Sequence, residues 1–219
     1  MSHVPPNMEA VLTGRATLAG SPAALPTGIE EQLRAQHFEL LRRCQRRVPG
    51  AFEELVHGFQ PRVASVIRGI LRNSNDAEDI AQQVFTKVYF ALDKFNFQSS
   101  VATWVYKIAV NECYDHLRKQ KVRKVAILAD LSLEESARIE NSALAASASL
   151  ESRIAERELA AKLLARLDLD DRVLLVLKEI EGYSVHEVAE ILGLNENTVK
   201  VRLFRARQAL LDALKKNRV

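Results

Sequence analysis

Apolar positions recur along most of this chain at steps of three and four, the period of helices with one buried face. From Ile29 onward, Leu33, His37, Leu40, Leu41 and Cys44 share one side of a helix that Pro49-Gly50 stops. Between Ala51 and Leu71 the pattern continues through Phe52, Leu55, Val56, Phe59, Val63, Val66, Ile67 and Ile70, and Pro61 is expected to divide it into two shorter pieces. After Asn73-Ser74-Asn75, Ile80, Val84, Val88 and Leu92 keep a strict i, i+4 register from Asp76 to Asp93. Asp76, Glu78 and Asp79 suit the positive end of that helix. Lys94 to Ser100 reads as a loop, and the helix from Val101 to Lys121 is expected to bury Trp104, Val105, Ile108 and Leu117. It would turn Lys107, Asn111, Asp115, Arg118 and Lys119 outward.

Four more helical segments, near 150–166, 169–181, 184–192 and 196–216, form a second unit. The stretch between the units, 122–149, is rich in Ala and Ser, carries acids at Asp130, Glu134, Glu135 and Glu140, and has no clear apolar face. It is expected to be a flexible linker. Residues 1–29, broken by Pro5, Pro6, Pro22 and Pro26, cannot bury enough apolar surface to offset their ordering entropy and are expected to be a flexible tail. The expected fold class is therefore all-α: two small helical domains, 30–121 and 150–219, joined by a flexible linker. Composition agrees, because eight Gly and six Pro in 219 residues leave few turns, and 47% hydrophobic residues rich in Ala, Leu and Val favour helices.

The end of the chain carries the most specific local pattern. Ser184 and Glu187 have the spacing of a capping box, and Val188, Ala189, Ile191 and Leu192 give the helix they open its buried side. Gly193 permits a sharp turn, and Asn195 can cap the next helix, whose Val199, Leu203, Ala206 and Leu210 recur at steps of four, three and four. Thr198, Lys200, Arg202 and Arg205 are left outward. Two helices crossing on a small Ala and a turn Gly are what a helix-turn-helix requires, since its second helix must stand clear to enter a major groove. The alternative for that spacing alone is an ordinary helical hairpin with a solvated basic face.

Charge sharpens this picture by where it lies. The formal net charge of +3 is too small to demand a polyanionic partner. Acid and base are nevertheless segregated: Asp76, Glu78, Asp79 and Asp93 face only Lys87 within 76–93, whereas Lys200, Arg202, Arg205, Arg207, Lys215, Lys216 and Arg218 face only Glu196 and Asp212 within 195–219. Cys44 and Cys113 are far apart and have no Cys or His at metal-ligand spacing, so neither a disulfide framework nor a zinc site is suggested. A reducing cytoplasm is the expected location. No apolar run approaches the roughly 18 residues of a membrane span, and the Pro-broken start lacks the basic head and apolar stretch of a signal peptide, so no direct membrane insertion is expected. No phosphate loop, activated nucleophile or carboxylate cluster for metal is visible. Catalysis, a cofactor and a bound metal are accordingly not expected.

The run Asp76-Ala-Glu-Asp-Ile-Ala-Gln-Gln-Val-Phe85, the stretch Phe95 to Trp104, and Lys107-Ile-Ala-Val-Asn111 with Asp115 and Arg118 resemble region two of the extracytoplasmic-function sigma factors. The run Tyr183 to Leu210, with Thr198-Val-Lys200 and Arg202-Leu-Phe-Arg-Ala-Arg207, resembles their region four. Order, spacing and the intervening linker all agree. The resemblance implies a polymerase specificity subunit that docks on the largest subunits of core RNA polymerase through Asp79, Gln82 and Gln83, Gln83 standing where the family often has Glu. It further implies that the loop holding Phe97, Gln98, Ser99 and Ser100 takes a base flipped from the minus-ten element, Phe97 occupying a position where Gly is common. Asn111, Asp115, Arg118 and Lys119 would read the single strand beside it, while Trp104 packs. Thr198, Lys200, Val201, Arg202 and Arg205 would meet the duplex minus-thirty-five element in its major groove. A linker of about 29 residues reaches roughly 90 Å when extended, and about 16 base pairs of B-DNA span roughly 55 Å, so both units could hold one promoter. The family also implies an anti-sigma factor that occludes the two domains. The competing reading is a helix-turn-helix operator-binding regulator that works without polymerase; the polar outer face of the Trp helix argues against it, because a sensor or dimer domain would favour an apolar one.

Overall fold

The computed structural model describes residues 27–71, 76–130, 164 and 167–216, and every regular element among them is helical. Helices α1 (Thr27–Gln45), α2 (Ala51–Ile70), α3 (Ala77–Ala91) and α4 (Val101–Asp130), with a 3-10 turn at Leu92–Lys94 after α3, make the first unit. Helix α5 (Leu169–Leu175), running into a π-helical turn at Val176–Ile180, then α6 (Val185–Leu192) and α7 (Glu196–Lys216), make the second. The expected tail, the linker beyond Asp130 and most of the segment 150–166 lie outside the described residues.

The core of the first unit follows the helical period. Leu55, Phe59, Val63, Val66, Ile67 and Ile70 on α2, Ile80, Val84 and Val88 on α3, and Val101, Val105, Tyr106, Ala109, Val110 and Cys113 on α4 are all buried together. On α4 this stripe differs from the expected one. Val105 belongs to it, but Trp104, Ile108 and Leu117 are only half-buried, and Trp104 packs on Phe95 at 4.9 Å. On α1, Leu41 and Cys44 are buried while Leu33 stays 37% exposed, because the helix reaches beyond the bundle at its start.

Pro61 does not divide α2. It lies on the exposed side, so the ring leaves the buried stripe intact, and packing on α3 and α4 holds both halves on one axis despite the roughly 3 kcal/mol that an interior proline costs. Helix α4 also runs past Lys121 to Asp130, taking in the first nine residues of the stretch expected to connect the two units.

From residue 169 onward the second unit is built as its periodicity predicts, with one change. Residues 169–181 are a short α-helix that widens into a π turn, closed by the Glu181 N–H on the Val176 carbonyl at 2.9 Å. Asp168 caps α5 by accepting from the Asp171 N–H at 2.8 Å. The two units touch: α2 lies against α5 and its π turn, and α4 against α6, so their apolar interiors join in one buried cluster.

Candidate nucleic-acid and polymerase interface

Helix α3 presents opposite characters on its two sides. Ile80, Ala81, Val84, Phe85 and Val88 are buried, and Asp79, Gln82 and Gln83 are exposed on the other face, brought together by the i, i+3, i+4 spacing. Further along that helix Phe90 is 76% exposed. Asp76 is not a side-chain cap; its carboxylate lies 3.3 Å from His116 of α4.

The loop between α3 and α4 is more tightly built than its sequence suggests. Phe97 has φ 62°, a left-handed conformation in which a Cβ is strained, and this gives a backbone reason for the glycine preference noted above. Its ring packs edge-on against Phe38 at 5.5 Å and Phe95 at 5.0 Å, with the Arg42 guanidinium 5.1 Å above its centre. Ser100 caps α4, its hydroxyl accepting from the Thr103 N–H at 2.9 Å. Gln98 is exposed and Ser99 half-buried, and the Gln98 N–H reaches the Asn96 side chain at 3.3 Å.

Asn111, Arg118 and Lys119 are exposed on α4, and Asp115 is half-buried, 3.7 Å from Arg118. Asn111, Asp115 and Arg118 border a groove of about 640 Å³ between the end of α3 and α4, whose other walls are Lys87, Phe90, Ala91, Lys94, Ile108, Glu112 and Tyr114. Lys119 is not among them. Glu112 is buried and ion-paired with Lys87. The cations Lys87 and Lys94 were missed in the sequence because they belong to a helix and turn read for their acids; only the fold sets them opposite Arg118.

The helix-turn-helix is formed as its caps require. The Glu187 N–H donates to Ser184 Oγ at 3.1 Å, and the Ser184 N–H to Glu187 Oε2 at 2.8 Å. Gly193 turns the chain at φ 66°, and Asn195 Oδ1 accepts from the Thr198 N–H at 2.7 Å. Val199, Leu203, Ala206 and Leu210 are buried; Lys200, Val201 and Arg205 are exposed. Thr198 and Arg202, expected outward, are only half-buried. Arg202 is drawn back by Asp170 of α5, Nη1 to Oδ2 at 3.2 Å. Arg207, part of the same basic run, is spent on buried Glu179 at 2.5 Å. Phe204, 64% exposed beside Val201 and Arg205, was missed; its signal was an apolar residue off the buried stripe.

Neither cysteine offers reactive chemistry. Both are buried and free, and burial with the nearby Glu112 charge pushes the Cys113 thiol up to about 12. Among the described residues no three His, Cys, Asp or Glu side chains gather as a metal site, and no helix is long and apolar enough to cross a membrane.

Comparison with known proteins agrees with this geometry. The family model "Sigma-70 region 2" matches residues 55–123, and "Sigma-70, region 4" matches residues 157–210. The chain is 33% identical over 183 residues to the RNA polymerase sigma-H factor of Pseudomonas aeruginosa, covering 82% of this chain and 94% of that one. It is 34% identical over 186 residues to the ECF RNA polymerase sigma-E factor of Escherichia coli K12, covering 83% and 95%. Among solved structures, the sigma factor RpoE of Bartonella quintana, in complex with the anti-sigma factor NepR, superposes with a TM-score of 0.58 at 26% identity, covering 76% of this chain and 98% of that one. CnrH, in complex with the cytosolic domain of CnrY, superposes with a TM-score of 0.61 at 24% identity, covering 82% and 97%, and speaks for the fold alone.

Two helical units carrying these two regions in this order define a sigma-70-type transcription initiation factor. The chain belongs to the extracytoplasmic-function sigma factors. Its function is to direct core RNA polymerase to promoters and start transcription.

Proposed function

We propose that the division of labour within this sigma factor follows the faces described above. Asp79, Gln82 and Gln83 dock on the largest subunits of core polymerase. Residues 97–100 and the outward side of α4, with Asn111, Asp115, Arg118 and Lys119, take the opened minus-ten strand. Lys200, Val201 and Arg205, with Thr198 and Arg202 beside them, meet the minus-thirty-five duplex. Residues 30–121 and 150–219 act as the two working domains.

The observation that carries this reading is the arrangement around α3. Asp79, Gln82 and Gln83 do not line the groove that Lys87, Lys94 and Arg118 border but lie one to two turns before it along α3, so polymerase and a nucleic-acid strand can take successive stretches of the helix. Cations along such a groove favour a phosphate backbone, and the Asn111 amide offers both a donor and an acceptor to a base edge. Phe97 contributes by shaping the loop, since Arg42 already covers one face of its ring.

The protein works in the cytoplasm, without enzymatic activity of its own, and is held in check by an anti-sigma factor. The last point is supported by the Bartonella quintana relative, which was solved with one.

Transcription by core polymerase plus this protein on a promoter library tests the whole reading; no start-site preference beyond that of core alone would sink it. Asp79→Lys reverses charge on the docking face and is expected to lower co-purification with core polymerase at least tenfold. Unaltered co-purification would remove Asp79 from the contact.

A further inference from the structure

The groove between α3 and α4 holds a carboxylate that the fold takes out of water. The Glu112 side chain is 6% exposed and is ion-paired with Lys87 of α3, whose own side chain is 55% exposed. Lys87 Nζ donates to Glu112 Oε1, and among the described residues this is the one ion pair that Glu112 makes. A buried carboxylate stripped of its cation is strongly disfavoured, so Lys87 stays beside Glu112 whether or not the groove is filled. An ammonium has three N–H donors. One is taken by Glu112, and two are left for whatever enters the groove.

The charges around the groove are unevenly committed. Lys87 is countered by Glu112, Arg118 faces Asp115 at 3.7 Å, and among the described residues Lys94 alone of the three cations has no acid beside it. Lys94 is therefore free to meet a phosphate, where it would displace a salt ion. Lys87 is built for a different task. It approaches from α3, opposite Asn111 of α4, and Glu112 directly follows Asn111, so the pair fixes one wall on the other where a base edge would be read. Exposed Phe90, with Ala91 and Ile108, gives the same groove an apolar surface against which a base can lie.

We propose that Glu112 is a positioning residue: it pins the Lys87 ammonium and cancels its charge, so that Lys87 acts as a fixed hydrogen-bond donor to the keto oxygen of one unstacked thymine or guanine. Adenine and cytosine present an amino group at the corresponding atom, a donor that the ammonium repels. A lysine without the carboxylate would instead swing as a mobile phosphate counter-ion. The identity of the bound strand rests on the minus-ten assignment of the groove given above; the pair and its burial do not.

The test uses holoenzyme assembled from core polymerase and the full chain. Its probes are non-template-strand oligonucleotides that span the minus-ten segment of a promoter selected from the library, each base replaced in turn, with binding read by fluorescence anisotropy. Wild type is expected to prefer thymine or guanine over adenine or cytosine at least tenfold at one position. Glu112→Leu, which frees Lys87, is expected to reduce that preference at least fivefold and to leave preferences at other positions in place. It should also steepen the slope of log affinity against log salt by about 0.7, the contribution of one phosphate contact on a single strand. Glu112→Gln keeps an acceptor for Lys87 without the charge, so it is expected to steepen the slope while retaining more of the preference. Adding Lys87→Met to Glu112→Leu is expected to return the slope to that of wild type and leave the preference lost.

Far-ultraviolet circular dichroism confirms that each variant keeps its helices. If Glu112 only joins α3 to α4, its variants melt earlier yet keep slope and preference, and the proposal is overturned. Selection of adenine or cytosine at that position overturns it too, as does a steepened slope that survives Lys87→Met. Wild-type holoenzyme that shows no base preference, or whose binding ignores Asn111→Ala and Arg118→Ala, sinks the minus-ten reading of the groove and the role of the pair with it. Wild-type preference with silent Glu112 variants sinks the role of the pair alone.

Discussion

Arg202 and Arg205 are three positions apart on one helix and have different surroundings. Arg205 is exposed, whereas Arg202 is half-buried and ion-paired with Asp170, so DNA must compete with a carboxylate for it. Replacing both with Ala is expected to weaken minus-thirty-five binding by a few kcal/mol, since one good guanidinium contact to a base edge contributes about 1 to 3. The slope of affinity against salt should also flatten, with Arg205→Ala alone causing most of the flattening, because Arg202 already has a counter-charge. Fluorescence anisotropy at several salt concentrations measures both; an unchanged slope in the double variant would exclude phosphate contact by either side chain. Phe97 shows a different conflict. Its left-handed backbone costs about 1 to 2 kcal/mol, offset by edge-on contacts with Phe38 and Phe95 and by Arg42 over its face.

Helix α6 is eight residues long, too short to persist without its ends satisfied. The reciprocal Ser184–Glu187 bonds and the left-handed Gly193 supply that, so Ser184→Ala is expected to lower stability by about 1 kcal/mol. The midpoint of urea unfolding reads this directly; no change would mean the cap is dispensable. The joint of α1 on α2 carries a pH dependence instead. His37 stacks on Phe59 at 4.9 Å, and burial, with the nearby Arg62 charge, holds its pKa below the ordinary 6.5. The folded chain therefore disfavours the protonated ring, and below pH 6.5 the unfolded chain binds the proton first. The stability contributed by neutral His37 is present above 6.5 and is lost as pH falls from there toward the lowered folded value. His37→Phe keeps the stacking and removes the titration. It is expected to show a smaller drop in melting temperature between pH 7.5 and 5.5 than wild type, and an equal drop would assign the acid sensitivity elsewhere.

Taken as a whole, the molecule joins two helical units through a contact that is apolar at the centre and polar at the rim. Coupling of that kind makes the units unfold together. Scanning calorimetry of the wild-type chain is expected to show one transition. Two transitions already in wild type would mean the units are independent.

Helix existence and the split of faces on α3 and α7 could be read from the chain alone, because the 3.6-residue period is a local property and both helices bury a single stripe. The same holds for the caps at Ser184 and Asn195, whose partners lie three residues away. Pro61 reads as a break in the sequence because intrinsic propensity takes no account of the packing of α2 on its neighbours. Asp170 holding Arg202, Glu179 consuming Arg207, Lys87 and Lys94 facing Arg118, and Arg172 reaching Ile70 were all invisible, since each joins positions remote in sequence. Periodicity says which side of a helix avoids water. It does not say what that side rests against, and the partners of a charge are chosen by the assembled fold.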